Sequence, residues 1–298
     1  MTTTDVRADL YPSRVADRPT ITERLDPVVH GDSSGPLDPE VLAGYEDDGF
    51  VVLPGFLGGE RLAALNDEVD RLAADEALAE KPQAIVEPDS RALRSIFEVH
   101  RLEGVFRDLV HDPYLVGVAR QLLGSDVYVH QSRVNLKPGF RGREFYWHSD
   151  FETWHTEDGM PRMRAVSCSV TLTDNHPWNG PLLLVAGSHG WYVTCVGATP
   201  DRNFEQSLRR QEIGVPDDES LSELVRRGSI RHAVGPAGTV VFFECNAMHG
   251  SNGNITPQPR RNVFFVYNSV ENALEAPFAA PGPRPEYIAS RDFTPVPV

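Results

Sequence analysis

The chain has 298 residues, with 28 Lys+Arg against 43 Asp+Glu and a formal net charge of −15. A surface this acidic repels phosphate, which excludes nucleic acids and anionic membranes as general binding partners. A hydrophobic fraction of 40% with 24% charged residues is typical of a globular protein. The 24 prolines and 24 glycines favour a turn-rich β architecture over a helical bundle.

The cysteine content and the hydropathy pattern indicate the cellular compartment of the protein. Cys168, Cys195 and Cys245 form neither a disulfide framework nor a paired-cysteine zinc site. The first residues contain no apolar run of the kind found in a signal peptide, and no stretch approaches the ~20 apolar residues of a membrane span. We therefore expect a reduced, cytoplasmic protein.

The front of the chain divides into two parts. Residues 1–37 are polar and turn-rich, which predicts a flexible or loosely draped N-terminal arm. Residues 38–124 carry the patterns of a helical front end. Its predicted elements are a helix from Asp38 through Tyr45, a short strand within 49–55, an amphipathic helix over 59–74, and a helical segment over 106–124 that is interrupted at Asp112-Pro113.

From Val127 the pattern changes to short β-branched and aromatic runs separated by turn signals. These runs predict one antiparallel β-barrel or sandwich over residues 127–272, so that residues 38–298 form a single domain. The charged, helix-like segment 203–227 is inserted between strands and is either a lid or a dimer contact. The Pro-rich C-terminal tail is expected to wrap the surface in an extended form.

The sequence Trp147-His148-Ser149-Asp150 lies at a predicted strand end. Period-two alternation places His148 and Asp150 on one face, so the imidazole and the carboxylate can converge. His249 closes another predicted strand. Two histidines and one carboxylate, each from a strand end, match the arrangement that holds non-haem Fe(II) and leaves coordination positions open. A lone His-x-Asp string arises by chance, so the assignment depends on its neighbours.

One such neighbour is Arg260, eleven residues after the second histidine. Asn262 and Phe264 follow on the same predicted face. An arginine there can form a bidentate pair with the distal carboxylate of a keto acid that chelates the metal. Ser251 can donate its hydroxyl to the same carboxylate. By parity Arg261 points outward and is expected to be a surface charge.

The predicted strand 131–137 has a polar face and an apolar face. Gln131, Arg133, Asn135 and Lys137 share the polar face. Such a face either meets solvent or lines a wet pocket, and we favour the pocket because the next strand carries the candidate ligands. Arg133, Lys137 and Arg260 would then face inward and accept two carboxylate-bearing small molecules.

Two longer motifs resemble a known family. The run Phe145–Pro161 (FYWHSDFETWHTEDGMP) is similar to the characteristic motif of ectoine hydroxylases, in the phytanoyl-CoA-hydroxylase-like branch of the Fe(II)/2-oxoglutarate dioxygenases. Asn179–Leu183 and the following Gly187–Gly190 resemble the second motif of that branch. The resemblance extends from about Gly44 to Asn272. Ala186 departs from the pattern, where a proline is expected before the turn, and this affects no ligand.

The resemblance implies a mainly β fold with flanking helices, the double-stranded β-helix (jelly-roll or cupin-like) barrel. It implies iron ligation by His148, Asp150 and His249, and a 2-oxoglutarate site at Arg260 with Ser251 as a helper, beside which we place Lys137. The implied reaction is hydroxylation of ectoine to 5-hydroxyectoine with O2, coupled to decarboxylation of 2-oxoglutarate to succinate and CO2. The substrate contacts that we carry over from this resemblance are Gln131, Arg133, Trp154, Asn262 and Phe264.

Two rival interpretations remain open at this point. One is hydroxylation of another small polar amino-acid-like substrate, such as a proline derivative. The other is a metal-binding barrel without this activity, either a non-catalytic cupin-like protein or a zinc hydrolase that uses the same three ligands. The inward position of Arg260 counts against the second rival. Relatives of this branch are often homodimers, so we also expect a homodimer.

Overall fold

The structure is a computed structural model that describes residues 8–86 and 93–297. Its strands pair antiparallel throughout the described residues, and they form the double-stranded β-helix that the sequence predicted. The strands are β1 Ile21–Glu23, β2 Phe50–Leu53, β3 Ala84–Val86, β4 Leu93–Phe97, β5 Val127–Lys137, β6 Phe145–His148, β7 Ala165–Thr171, β8 Leu182–Ala186, β9 Trp191–Val193, β10 Ser229–Ala233, β11 Val240–Glu244, β12 His249–Ser251 and β13 Arg260–Ser269.

Two sheets enclose the interior of the barrel. The larger has seven strands in the order β2-β11-β7-β13-β5-β4-β3, and the smaller has four in the order β10-β8-β12-β6. They meet in an apolar cluster that joins Leu184 of the small sheet to Phe243 and Phe264 of the large one. A separate two-stranded sheet pairs β1 with β9.

Helices cover the large sheet and connect the strands. They are α1 Pro39–Asp48, α2 Gly59–Ala73, α3 Glu76–Ala79, α4 Val105–Val110, α5 Pro113–Leu123, α6 Asp150–Thr153, α7 Phe204–Ser207 and α8 Asp218–Arg227, together with a π-helical turn at Trp154–Asp158. The side chain of Asp38 caps α1, and Gly49 ends it with a φ of 80°. The helix therefore continues three residues past the predicted end at Tyr45.

The front end contains the strand predicted within 49–55 and two strands, β3 and β4, that the sequence analysis did not predict. Its segment 50–53 forms β2, which pairs with β11, and its segment 93–97 forms β4, which pairs with β5. Both strands extend the large sheet, so this sheet is not confined to residues 127–272. Their partners lie far along the chain, and local periodicity carries no signal of such pairing.

The main core lies between the large sheet and the helices. The outer face of the sheet contributes Val134, Val170, Val263 and Phe265, all fully buried, and these pack with apolar residues of α2, α4 and α5 in one cluster. Most of the apolar burial that stabilises the domain is therefore on the side of the sheet that faces away from the barrel interior.

The expectation of a loosely draped N-terminal arm is wrong for residues 8–37; residues 1–7 lie outside the described residues. Tyr11 is buried and donates a 2.7 Å hydrogen bond to Asp26. The guanidinium of Arg14 is buried against Glu152, with its Nη2 at 2.7 Å from Oε2. Polar residues of the arm pair with buried charged residues elsewhere in the fold. The amino-acid composition of the arm does not show this pairing.

The C-terminal tail is also more deeply buried than expected. Residues 273–297 contain no regular helix or strand, but Arg284, Ile288 and Ser290 are buried. The tail crosses the strand β5 and the π-helical turn rather than lying on the open surface. Among the described residues, no helix is long and apolar enough to cross a membrane.

Candidate metal centre and its cavity

The first two candidate ligands come from the end of β6. His148 is the last residue of this strand, and Asp150 is the first residue of α6. The predicted continuous strand therefore ends two residues early, because the chain turns into a helix at Ser149. Ser149 donates a 2.9 Å hydrogen bond to Oδ1 of Asn246, which ties this turn to the segment before the third ligand.

The third candidate ligand, His249, begins a strand instead of closing one. The strand β11 ends at Glu244, a turn follows, and β12 starts at His249. This correction moves no ligand, because β12 pairs with β6 so that His249 lies directly opposite His148. The two imidazole ring centroids are 4.2 Å apart.

His148, Asp150 and His249 converge on one point. Their ligand atoms all lie within 4.8 Å of one another, and all three residues are buried. The Nε2 of His148 is 3.7 Å from Oδ1 of Asp150, and the Nε2 of His249 is 3.8 Å from Oδ2 of the same carboxylate. These separations are those of groups that share a metal ion rather than groups that bond directly to one another. The predicted three-ligand set is confirmed.

Each imidazole is held in the orientation that a metal ligand needs. The Nδ1 atoms of His148 and His249 lie 2.8 Å and 2.9 Å from the backbone carbonyls of Tyr146 and Ala247. Because a carbonyl only accepts, Nδ1 carries the proton and Nε2 keeps its lone pair for the metal.

The protonation states agree with this role. Burial, together with the neighbouring His148, lowers the pKa of His249 to about 4, so the imidazole is neutral at physiological pH. Burial alone would raise the pKa of Asp150, but the two histidines and Arg133 outweigh it and lower this pKa below its ordinary value. A neutral imidazole and an ionised carboxylate are the forms that bind a divalent metal.

The metal centre opens into a cavity of about 760 Å³, including its mouth. Its wall combines basic, aromatic and small polar side chains with the two candidate histidine ligands. The lining residues used below are Arg94, Phe97, Arg133, Asn135, Lys137, Arg143, Phe145, Leu208, Ser251, Arg260 and Phe264. This composition confirms that the polar face of β5 meets a pocket from Arg133 through Lys137.

One side of the cavity concentrates positive charge. Lys137 and Arg260 lie opposite each other on β5 and β13, and Lys137 Nζ donates a 2.8 Å hydrogen bond to Ser251 Oγ. Burial and the nearby Arg260 lower the pKa of Lys137 to about 6, and burial with Arg133 lowers the pKa of Arg260 to about 10. A pocket that lowers the pKa values of its buried cations in this way favours the binding of anions.

Arg133 lies near the metal centre and over an aromatic ring. Its guanidinium carbon is 5.1 Å from the centroid of the Phe264 ring. Its Nε and that of Arg260 are buried and have no hydrogen-bond partner among the described residues. Because buried guanidinium groups are normally paired, these two atoms point to a ligand that supplies acceptors.

Three predicted substrate contacts lie away from the cavity lining. Gln131 donates from Nε2 to the carbonyl of Ile288, at 2.8 Å. Asn262 donates to Ser169 Oγ, at 3.2 Å. Trp154 is buried in an apolar cluster with Phe151 and other residues of the same end of the barrel. All three lie next to the site, and their contact with substrate stays a prediction.

Sequence reasoning missed several residues of the wall. Arg94 and Phe97 come from β4, a strand that was not predicted, and Leu208 comes from the segment 203–227. Arg143 and Phe145 stand directly before the ligand motif, where their proximity to His148 was an available signal. Arg94, Phe97 and Leu208 reach the cavity only because segments that are distant in sequence pack together.

Several residues close to the ligand motifs have structural roles. His155 is buried between Asp9 and the carbonyl of Met160, and His189 bonds the carbonyl of Glu46. Cys245 is buried in the turn before His249. Arg261 points outward and pairs with Asp70 at 2.8 Å, as parity predicted.

The fold and the site together define the class of protein, a non-haem Fe(II) dioxygenase. Residues 45–262 match the family model described as phytanoyl-CoA dioxygenase, and the chain belongs to this family. Among curated relatives, an ectoine dioxygenase from Stutzerimonas stutzeri is 55% identical over 96% of each chain. One from Streptomyces anulatus is 53% identical over 99% of each chain.

Solved structures agree with these relatives. The chain is similar to the crystal structure of EctD from S. alaskensis with 2-oxoglutarate and 5-hydroxyectoine, at 49% identity over 95% of each chain with a TM-score of 0.87. It is also similar to the same protein with bound Fe, at 48% identity over 96% of each chain with a TM-score of 0.86. The family resemblance in the sequence is confirmed.

Proposed function

We propose that this protein hydroxylates ectoine to 5-hydroxyectoine and couples this reaction to the oxidative decarboxylation of 2-oxoglutarate. The observation that carries the proposal is a cavity that adjoins the metal centre and has buried arginines in its wall. Three metal-binding side chains converge there, and Arg133 and Arg260 place buried guanidinium nitrogens without partners among the described residues in the wall. Relatives at more than 50% identity that are named ectoine dioxygenases support the substrate.

His148, Asp150 and His249 would hold the iron. When bound, Fe(II) with 2-oxoglutarate and O2 supplies the oxidising chemistry, with one oxygen atom going to the substrate hydroxyl and the other to succinate. The fixed Nε2 lone pairs of both histidines and the ionised carboxylate of Asp150 support this fit. Three protein ligands leave positions for the co-substrate and oxygen.

The co-substrate is assigned to the wall formed by Arg260, Ser251 and Lys137. 2-Oxoglutarate carries two carboxylates, of which one would chelate the metal with the keto group and the other would reach this wall. Arg260 offers its fork of donors to the distal carboxylate, and Ser251 lies beside it through its hydrogen bond to Lys137. A carboxylate bound there would pair with the buried cations of Lys137 and Arg260.

The substrate is assigned to Arg133 and its surroundings. Ectoine is a small cyclic amidine with a carboxylate, so it requires a cation, hydrogen-bond acceptors for ring nitrogens and an aromatic wall. Arg133 supplies the cation and Phe264 supplies the aromatic face beside it. Gln131, Trp154 and Asn262, which lie beside the cavity lining, remain proposed substrate contacts. The burial of these groups keeps water away from the reacting carbon.

Anaerobic titration of the purified protein with Fe(II) and 2-oxoglutarate, with and without ectoine, tests the assignment. We expect a metal-to-ligand charge-transfer band that needs both iron and 2-oxoglutarate and that shifts when ectoine is added. Under air, ectoine should stimulate succinate release and proline should not. Asp150→Ala should abolish both the band and turnover. Succinate release that proline stimulates and ectoine leaves unchanged would refute the substrate.

The homodimer and the cytoplasmic location belong to the same proposal. They follow from the family resemblance and from the sequence pattern, respectively. Sedimentation velocity at several protein concentrations tests the dimer, since a monomer at all concentrations would contradict it. Fractionation of the native cells tests the location.

A further inference from the structure

The turn at residues 245–248, between β11 and the third candidate ligand, is tied to the segment that carries the other two ligands. Ser149, which separates these two ligands in the chain, donates from Oγ to Oδ1 of Asn246, at 2.9 Å. The N–H of Phe151 donates to the carbonyl of Cys245, at 2.8 Å. The two segments that supply the metal ligands are therefore joined by hydrogen bonds of residues outside the three-ligand set.

The amide of Asn246 is fixed in one orientation. The residue is buried, and its Nδ2 donates to the carbonyls of His189 and Trp191, both at 3.0 Å. Because these carbonyls only accept, the amide must turn its NH2 group toward them and its Oδ1 toward Ser149. Asn246 therefore presents a fixed acceptor to the turn between the first two ligands.

A buried carboxylate holds the backbone of the same turn. Glu244, the last residue of β11, accepts at Oε2 a 2.6 Å hydrogen bond from the N–H of Asn246. Its backbone carbonyl accepts a 3.0 Å hydrogen bond from the N–H of Ala247, and the carbonyl of Ala247 lies 2.9 Å from Nδ1 of His249. Glu244 thus fixes the path of the chain from the end of β11 to the ligand.

The N-terminal arm supplies the cation for this carboxylate. Nη1 of Arg24 lies 2.8 Å from Oε1 of Glu244, and the two side chains are only 4% and 2% exposed. Arg24 also donates from Nε to the carbonyl of Asp26 and from Nη2 to the carbonyl of Met163, at 2.8 Å each. A buried carboxylate is normally paired with a cation, and here the position of that cation is set by backbone carbonyls.

We propose that Asn246 is a positioning residue of the metal centre and that Arg24 of the N-terminal arm holds it in place through Glu244. The inference rests on the iron site of the proposed function. One series of buried contacts runs from Arg24 to Glu244, from Glu244 to Asn246, and from Asn246 to Ser149 between two ligands. Groups that orient metal ligands commonly change metal affinity about 10–100-fold when they are removed. A residue of the arm is therefore a determinant of how tightly the metal is held.

Binding of Co(II) to the metal-free, full-length protein tests this role, with anaerobic calorimetry for the Kd and the d–d absorption bands for the coordination geometry. We expect Asn246→Ala to raise the Kd for Co(II) about 10–100-fold and to change the d–d bands, because the separation of the ligands is no longer fixed. Ser149→Ala removes one hydrogen bond and should raise the Kd about tenfold. Ser149→Thr keeps the hydroxyl and should restore most of this affinity. The proposal fails if Ser149→Ala binds Co(II) as tightly as the wild type.

Asn272→Ala is the matched control for a merely structural effect. Asn272 is as buried as Asn246, and its amide bonds the backbone N–H and carbonyl of Arg162, but it lies in the 3-10 turn after β13 rather than in a ligand segment. Asn272→Ala should lower the free energy of unfolding in urea, as Asn246→Ala does, and leave the Kd and the d–d bands unchanged. Equal losses of Co(II) affinity in the two variants would overturn the proposal.

A double-mutant cycle tests the link to the arm. Arg24→Lys keeps the charge but lacks the fork of donors, and it should raise the Kd for Co(II) about tenfold. In the Asn246→Ala background the same change should have no further effect, and multiplicative losses would overturn the proposal. Should Asn246→Ala not fold, Ser149→Ala takes its place in the cycle. A wild-type protein that binds no Co(II) overturns the iron site itself, whereas tight wild-type binding with an unaffected Asn246→Ala overturns this proposal alone.

Discussion

The two faces of β13 contrast in what they contribute. The outer face carries Val263 and Phe265, which are fully buried under the helices, and this packing stabilises the domain. The inner face carries Arg260, Asn262 and Phe264, which surround the cavity or lie beside it. Burial lowers the pKa of Arg260 to about 10, a sign that holding its charge there has a free-energy cost. Alternate residues of one strand thus stabilise the domain on one face and form the site on the other.

The comparison predicts that two adjacent phenylalanines respond differently to truncation. Phe265→Ala should lower the free energy of unfolding by about 3–5 kcal/mol, because it leaves a cavity in the main core. Phe264→Ala should lower it less and instead raise the KM for ectoine, because its ring stands beside Arg133 at the cavity. Urea unfolding and steady-state kinetics on both variants check this. The division between the faces fails if Phe264→Ala proves as destabilising as Phe265→Ala without any change in KM.

Two adjacent arginines provide the next test. Arg260→Ala should raise the KM for 2-oxoglutarate about a hundredfold, since a buried bidentate hydrogen bond to a charged group is lost. Arg261→Ala removes only an outward pair with Asp70 and should leave this KM unchanged. Initial rates of succinate release at varied 2-oxoglutarate give both values. Similar KM values for Arg260→Ala and Arg261→Ala would contradict the co-substrate assignment.

The smallest expected effect is a pH dependence of 2-oxoglutarate binding. The pKa of Lys137 is about 6 in the ligand-free protein, mainly because of burial. A bound carboxylate favours the charged form and raises this pKa, so binding above pH 6 takes up a proton and affinity falls as pH rises. Between about pH 7 and pH 9 the loss is at most about tenfold per pH unit.

Calorimetry in two buffers of different ionisation enthalpy measures this proton uptake directly. The variant Lys137→Met should bind 2-oxoglutarate more weakly near neutral pH and should show no proton uptake in this range. The same uptake in Lys137→Met as in the wild type would place the titrating group elsewhere.

Much of the site was predictable because it depends on local order. Alternation along a strand selected His148 and Asp150, and it separated Arg260 from Arg261. The structure shortened β6 and moved His249 to the start of β12, yet the ligands still converge. Ligand identity survives such boundary errors, because a residue at a strand end and one just beyond it reach the same edge of the barrel.

What the sequence alone determined is the class of fold, the three metal ligands and the basic character of the cavity, since these follow from residue type and short-range spacing. Only the tertiary structure placed β4 in the cavity wall, buried Arg14 against Glu152, and brought Arg284 to Asp158. The partners in these pairs are far apart in sequence, and polar residues that look exposed in composition become buried only when a distant segment supplies the opposite charge.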